Sequence, residues 1–298
     1  MYDHVVIPVD GSDEARRAAR RGLALADAFD ATVDVLHVVE RRWFRLTASD
    51  DEDRRLRERG ERILGEIEEL AAGMDRPVTV EMREGKPVVE IAEFAEARGA
   101  DVVVLGRQGL TGLGRRLLGG VTEGVLHRSD VPVLVVPDGE AEGAAERGYG
   151  RILLTTDGSE NAAEAIPHGT AIAGRFGAEL HVLNVVDLQA AGGAFDAGGL
   201  ERAFVERFEE RGREAVERAA EAVAGSAPEL TVETAVERTT SYPGAPNGIR
   251  EYVEDHGIEL VVMGSHGRSN LRRQLLGSVA SSVLRTVDVP VLVVKPAS

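Results

Sequence analysis

VVIPVDGSDEA at residues 5–15 and ILLTTDGSENA at residues 152–162 are one pattern used twice: a short apolar run, then Asp-Gly-Ser, then an acid-led stretch with helical spacing. An apolar run without in–out alternation reads as a strand buried on both faces, which parallel sheets require. Asp-Gly-Ser supplies the turn and a capping hydroxyl for the helix that follows. Working outward, the chain repeats itself in order. VDVLHVVE (33–40) returns as LHVLNVVD (180–187), DVVVLGRQGL…RRLLGGV (101–121) as ELVVMGSHGR…RRQLLGSV (259–279), and VPVLVVP (131–137) as VPVLVVK (289–295). The offset grows from 147 to 158 residues, a net insertion of 11 in the second copy. A repeat of this length marks a duplicated domain.

Within the first copy, strands are expected at His4–Val9, Val33–Val39, Val78–Met82, Val102–Leu105 and Val133–Val136. Helices are expected at Asp13–Ala28, Asp51–Ala71, Val88–Ala97 and Val121–His127. Strand–helix alternation predicts an α/β fold built twice, each copy a doubly wound, five-stranded parallel sheet. The expected domains are 1–138 and 150–298. The polar, glycine-rich segment 139–149 between them reads as a linker.

Composition narrows the function classes. The 298 residues, 43% apolar and 29% charged, exclude a collagen, a disordered tail and a disulfide-stapled mini-protein, and allow about two domains. No apolar run approaches the roughly 20 residues of a membrane span. MYDHVVIPVD is strand-like, with an acid at residue 3, and does not read as a signal peptide, so a cytoplasmic protein is expected. The 51 acids against 35 bases (net −16) argue against nucleic acid, and 4% aromatics leave few stacking platforms. The absence of cysteine removes thiol chemistry and thiolate metal sites. Lys86 and Lys295 are the two lysines. A saline cytoplasm favours such a surface, and a GC-rich genome produces the same bias.

In a doubly wound sheet, ligands bind beyond the carboxyl ends of the strands, at the switch point. Two segments meet there. One is Asp10-Gly11-Ser12 and its partner Asp157-Gly158-Ser159. The other is a glycine loop: in the second copy Gly264-x-x-Gly267, nine residues, then Gly277-Ser278 and a helix. Glycines let the backbone approach a phosphate, and a helix N-terminus with a serine hydroxyl can donate to an anion. From Gly264 to Val287 there is no acid, while Arg268, Arg272, Arg273 and Arg285 are present; Val102–Thr122 is likewise acid-free and carries Arg107, Arg115 and Arg116. The competing explanation is a loop whose arginines cover apolar surface. A Walker loop would need lysine after its last glycine, and a dinucleotide fingerprint would follow the first strand; neither is present, and Gly109, Gly112 and Gly114 stand in the wrong place for one.

The spacing Gly-x-x-Gly, nine residues, Gly-Ser, then Pro-Val-Leu-Val-Val about a dozen residues later, with the duplicated Asp-Gly-Ser turns, resembles the universal stress protein (UspA-type) family over essentially the whole chain. The resemblance implies strand order 3-2-1-4-5, ATP binding with Mg²⁺ and pairing of domains through the last strand. It places Asp157 near the ribose and Val185 near the adenine. The backbones of Gly264, Gly267, Gly277 and Ser278 would hold the phosphates, with Arg268 in the same loop and Met263 and Val279 flanking the pocket. In the first copy the matching residues are Asp10, Val38, Leu105, Gly106, Gly109, Gly119, Gly120 and Val121. Gly120 departs from the family's serine or threonine. That removes a hydroxyl donor and, if the position is an N-cap, weakens the helix start by a few tenths of a kcal/mol. Thr122 is a possible substitute donor, and the second copy is the better expected site.

Other residues read more plainly. Asp-Gly-Ser is also an ordinary turn with Ser12 or Asp13 as cap. His37 is Asn184 in the other copy, His181 faces Asp34, and no histidine pair has a ligand spacing, so no metal site is expected. His266 lies in the glycine loop, where Gln108 replaces it in the first copy. The helices near 51–71 and 200–224 read as solvated charged faces, and 190–199 as a flexible loop or a lid. No base–nucleophile pair points to an efficient hydrolase. The expected role is nucleotide-controlled conformation or partner binding in a stress response, with a possible homodimer. The alternatives are a non-nucleotide interaction module, a slow ATPase, or a nucleotide-dependent ligase or α-hydrolase of related fold.

Overall fold

The computed structural model of the chain describes residues 1–40, 50–110, 117–138, 143–188, 202–267 and 276–296. It divides into two compact units, Met1–Gly148 and Tyr149–Ser298. In the first, β1 (His4–Pro8), β2 (Thr32–Val39), β3 (Val78–Glu84), β4 (Val102–Gly106) and β5 (Val133–Val136) pair in parallel in the order 3-2-1-4-5. The helices are α1 (Asp13–Phe29), α2 (Asp50–Leu70), α3 (Pro87–Arg98), α4 (Gly120–Arg128) and one turn, α5 (Ala144–Arg147). The second unit repeats the order with β6 (Arg151–Thr155), β7 (Glu179–Asp187), β8 (Val232–Thr239), β9 (Leu260–Gly264) and β10 (Val291–Val294). Its helices are α6 (Glu160–Ala163), α7 (Ala165–Phe176), α8 (Arg202–Ser226), α9 (Ala245–His256) and α10 (Ser278–Thr286).

The expected strands and helices of the first copy all form, with ends shifted by one or two residues. Val5, Val6 and Ile7 of β1 and Val102, Val103 and Val104 of β4 are fully buried, as helices on both faces demand. Helix α1 covers this pair with a stripe of small residues. A Cβ on Gly22 would lie 2.7 Å from Ile7 Cδ1 and 3.3 Å from Val104 Cβ, so glycine lets the helix pack closely on both strands. Ser12 caps α1, its hydroxyl accepting from Ala15 N at 3.1 Å, and Asp13 and Glu14 complement the helix dipole. Asp30, at φ 55°, closes the helix in the left-handed region, its N–H bonding the Ala26 and Asp27 carbonyls. Ser159 caps α6 in the same way, accepting from Ala162 N. That helix stops after one turn. Pro167 offers no N–H to the Ala163 carbonyl and its ring crowds it, so α7 starts afresh at Ala165.

The caps of α4 and α10 differ from the expected ones. Gly119 and Gly277 occupy the extended cap positions, and Gly120 and Ser278 are the first helical residues. Gly120 therefore costs the first domain no N-cap. Of the segment read as a linker, residues 144–147 form α5, and Arg21 donates to the Gly148 carbonyl at 3.5 Å. Tyr149 is buried edge-on against Phe176, ring centroids 5.3 Å apart. Among the described residues no helix is long and apolar enough to cross a membrane.

These caps make a contrast that urea denaturation will check. Ser12→Ala lowers stability by about 1 kcal/mol, the usual worth of a capping hydroxyl. Ser278→Ala, which removes no capping bond, leaves stability within about 0.5 kcal/mol of the parent.

Candidate functional site

β1 and β4 are neighbours in the sheet, but the chain leaves their carboxyl ends in opposite directions, toward β2 and toward β5. A crevice must open where they part. In the first domain it is a cleft of about 1230 Å³, large enough for a nucleotide. Asp10, Val38, Leu105, Gly106, Gly109, Gly119, Gly120 and Val121 all line it. Arg57, Arg59 and Lys86 share its rim with Glu40, Glu52, Asp53 and Glu84, so both signs of charge stand at the mouth.

The Asp10 carboxylate joins the two segments that meet there. Its Oδ1 accepts from Ser12 N at 2.9 Å and its Oδ2 from Leu110 N at 3.0 Å. Gly11 stands between them at φ +83°, a turn conformation that favours glycine. A Cβ on Gly109 would fall onto Asp10 Oδ2, and one on Gly119 would lie 3.2 Å from the Arg107 carbonyl oxygen. The second domain repeats this: Asp157 Oδ1 accepts from Ser159 N at 3.0 Å, and a Cβ on Gly267 would lie 2.6 Å from Asp157 Oδ2. Gly264 is pressed against Asn161, whose carbonyl oxygen would be 2.6 Å from an added Cβ. The motif glycines thus hold the loop against its own protein as well as permitting close approach of a ligand.

In the second domain Met263, Gly264 and Gly267 stand at the carboxyl end of β9, Asp157 just beyond β6, and Val185 near the end of β7. Gly277, Ser278 and Val279 form the start of α10, with Ser278 exposed. Met263 is buried, as is Leu105 in the first domain. Arg268, Arg272 and Arg273, like Arg115, Arg116 and the insertion 190–199, lie outside the described residues.

Several expectations change. Arg107, counted among the loop's free cations, is 2% exposed and ion-paired with Asp138, so it holds the loop to the end of β5 and does not face solvent anions. Thr122 does not replace the missing hydroxyl: it is buried and donates to the Gly106 carbonyl at 2.8 Å. A Cβ on Gly120, by contrast, would meet nothing within 4 Å. His37 and Asn184 differ in identity and share a role. His37 Nδ1 bonds the Val9 carbonyl at 2.7 Å, and Asn184 Nδ2 donates to the Thr156 carbonyl at 2.7 Å, each tying the second strand to the site turn. His266 Nδ1 lies 2.8 Å from the hydroxyl of buried Ser265.

Sequence reading missed Glu14. Its carboxylate takes the Gln108 N–H at 2.6 Å, inside the glycine loop, while the counterpart in the second domain is the neutral Asn161. Burial pushes the Glu14 pKa up, against the hydrogen bond from Gln108. It is the second residue of α1, and its only sequence signal was an acid in the first turn, which reads as complementing the helix dipole.

The universal stress protein family model matches residues 1–137 and again residues 148–295. A universal stress protein of Mycobacterium tuberculosis is 30% identical over 304 residues, spanning 98% of this chain and 96% of its own. One from Methanocaldococcus jannaschii is 39% identical over 140 residues, 46% of this chain and 82% of its own. The crystal structure of a universal stress protein from Archaeoglobus fulgidus covers all of both chains with a TM-score of 0.75 at 24% identity, a likeness of fold.

Two substitutions follow from this geometry. Gly109→Ala forces Asp10 off the Leu110 N–H and costs about 1–3 kcal/mol in urea unfolding. Glu14→Gln tests the buried charge. A carboxyl whose folded pKa is raised loses stability as pH climbs from the unfolded value of 4.5 toward the folded one. Thermal melts of Glu14→Gln and the parent should therefore separate above that window, with the variant higher, and converge below it.

Proposed function

The chain belongs to the universal stress protein family in both of its halves, and on that premise we propose that it binds an adenine nucleotide, ATP with Mg²⁺, in the cytoplasm. Binding would act as a signal and not as fuel: the occupied loop would change which partner surface the chain presents. The second domain is the stronger site and the first the weaker.

What carries the reading is convergence. Residues separated by as many as 111 positions in the sequence, from Asp10 to Val121, share one cleft at the switch point of the first domain. The same motif, with the serine restored, opens α10 in the second. The residues suit the ligand's chemistry. A cleft with Val38 and Leu105 on its wall offers an apolar surface to a base, and Asp10 offers a carboxylate to ribose hydroxyls. At Ser278 an exposed hydroxyl and an uncapped helix N-terminus can both donate to phosphate oxygens, and Mg²⁺ would enter with those phosphates. The preference for the second domain rests on two differences. Gly120 lacks the hydroxyl of Ser278, and Glu14 sets a negative charge beside the first loop where Asn161 is neutral. Pairing of the two domains through β5 and β10 belongs to the same proposal, since each is an apolar last strand of its own sheet.

Calorimetric titration of the full chain with Mg-ATP tests this. One site per chain is expected. Ser278→Ala weakens it by tenfold or more, the worth of a hydrogen bond to a charged group being about 1.5–3 kcal/mol. Gly120→Ser, which the open space at that position accommodates, adds a second site. Absence of heat in a folded protein removes the nucleotide reading and leaves an interaction module.

A further inference from the structure

At the opposite end of the second domain's sheet, three side chains that can hold a metal ion come together. Glu179 and His181 alternate along β7 and so point to one face, and His181 pairs with Glu233 on β8. One ligand atom from each lies within 4.8 Å of the other two. Carboxylates alone would mean little, because exposed acids often cluster. The buried imidazole is the independent observation. His181 is 3% exposed, and its Nε2 lies 3.8 Å from Glu179 Oε2 with no hydrogen-bond partner, although burying an unsatisfied nitrogen costs free energy.

We propose that Glu179, His181 and Glu233 form a binding site for a divalent cation of the zinc class. The donor set, one imidazole nitrogen and two carboxylate oxygens, suits such an ion, with water completing the shell. The Tyr252 hydroxyl lies 3.0 Å from His181 Nδ1 and can accept a hydrogen bond from Nδ1–H, which leaves the Nε2 lone pair for the metal. His256 stacks on Tyr252 with centroids 3.8 Å apart and fixes that ring. Contraction from within 4.8 Å to the edge of a zinc tetrahedron, about 3.3 Å for bonds of about 2.0–2.1 Å, falls to the two glutamates. Glu233 Oε2 lies 3.8 Å from the other ring nitrogen, Nδ1, and this half-exposed side chain must turn to join Glu179 on the Nε2 side.

Arg151 stands 3.5 Å from Glu179 and also donates to the His256 carbonyl; its side chain is half exposed, and an ion would displace it from Glu179. In the first domain the equivalent place already holds its own cations. Asp34 stands where His181 does, with His4 Nε2 at 2.8 Å and Arg98 Nε at 3.6 Å, and Thr32 and Thr79 replace the two glutamates. The first domain sets two cations against one buried acid; the second sets one half-exposed arginine and a buried imidazole against two glutamates.

The test is a Zn²⁺ titration of the full chain, stripped with a chelator and free of nucleotide, in competition with a chromophoric chelator. One equivalent per chain is expected, weakened at least tenfold in Glu233→Gln and in His181→Gln. Glu233→Gln changes one exposed atom and keeps the fold, which circular dichroism verifies, so the result stands even if His181→Gln fails to fold. Co²⁺ in place of Zn²⁺ should give visible absorption bands that Glu233→Gln diminishes. The absence of a stoichiometric equivalent, or binding that Glu233→Gln leaves unchanged, overturns the site. Because the titration contains no nucleotide, neither result bears on ATP binding.

Discussion

Asp10 holds two backbone amides that lie 98 residues apart in the chain, those of Ser12 and Leu110, and the geometry of the first domain's cleft depends on that grip. The need for it arises in the sheet. β1 and β4 run side by side with both faces covered, so their connections must leave in opposite directions and their ends must part. Without a brace, the turn after β1 and the loop after β4 would be two separate exposed segments. The Asp10 carboxylate joins them, with Glu14 holding the Gln108 amide beside it, and glycine at position 109 makes room for Asp10. Asp157 and Gly267 stand in the same relation in the second domain, next to the Ser159 amide. This accounts for an acid in a place where an anion is expected to bind. Its oxygens face two N–H donors of the protein, and in the nucleotide reading the ribose approaches from the open side.

Duplication has kept the frame and altered its charges. Where structure demands a role, the two domains solve it with different residues: His37 and Asn184 bond the same carbonyl position, and Gly60 and Gly212 yield space to them. Where a ligand would sit, the chemistry diverges. Glu14 against Asn161 and Gly120 against Ser278 make one loop more negative and poorer in donors than the other. At the amino ends of the strands the same has happened to Asp34 and His181. Equal folds with unequal sites are open to a duplicated chain, since each frame is stabilised by its own buried strands.

How much was legible can be judged residue by residue. The buried runs of β1 and β4, the Ser12 and Ser159 caps and the strand–helix alternation were readable because each is a local property: apolar patterning and turn chemistry act over a few residues. Of the eight residues assigned to the first cleft, Asp10 and the glycine loop followed from where a doubly wound sheet binds its ligands, while Val38 came only through resemblance, since nothing in the spacing says that residue 38 lies near residue 121. Arg107 misled because charge composition does not report burial. Asp138, its partner, lies beyond β5, 31 residues away. Thr122 misled for a similar reason, its hydroxyl being spent on the Gly106 carbonyl.

By itself, then, the sequence determined a duplicated parallel α/β frame, the turns that begin its first helices and the glycine spacing that ties the chain to its family. Those depend on short-range patterns of polarity and backbone freedom. Only the tertiary structure decided which charges are spent and which are exposed. Arg107 is consumed by Asp138, Glu14 occupies a loop amide, and Glu233 reaches His181 from 52 residues away. A charge acts through distance and burial, and both are set by strands that meet across the sheet, not by neighbours along the chain.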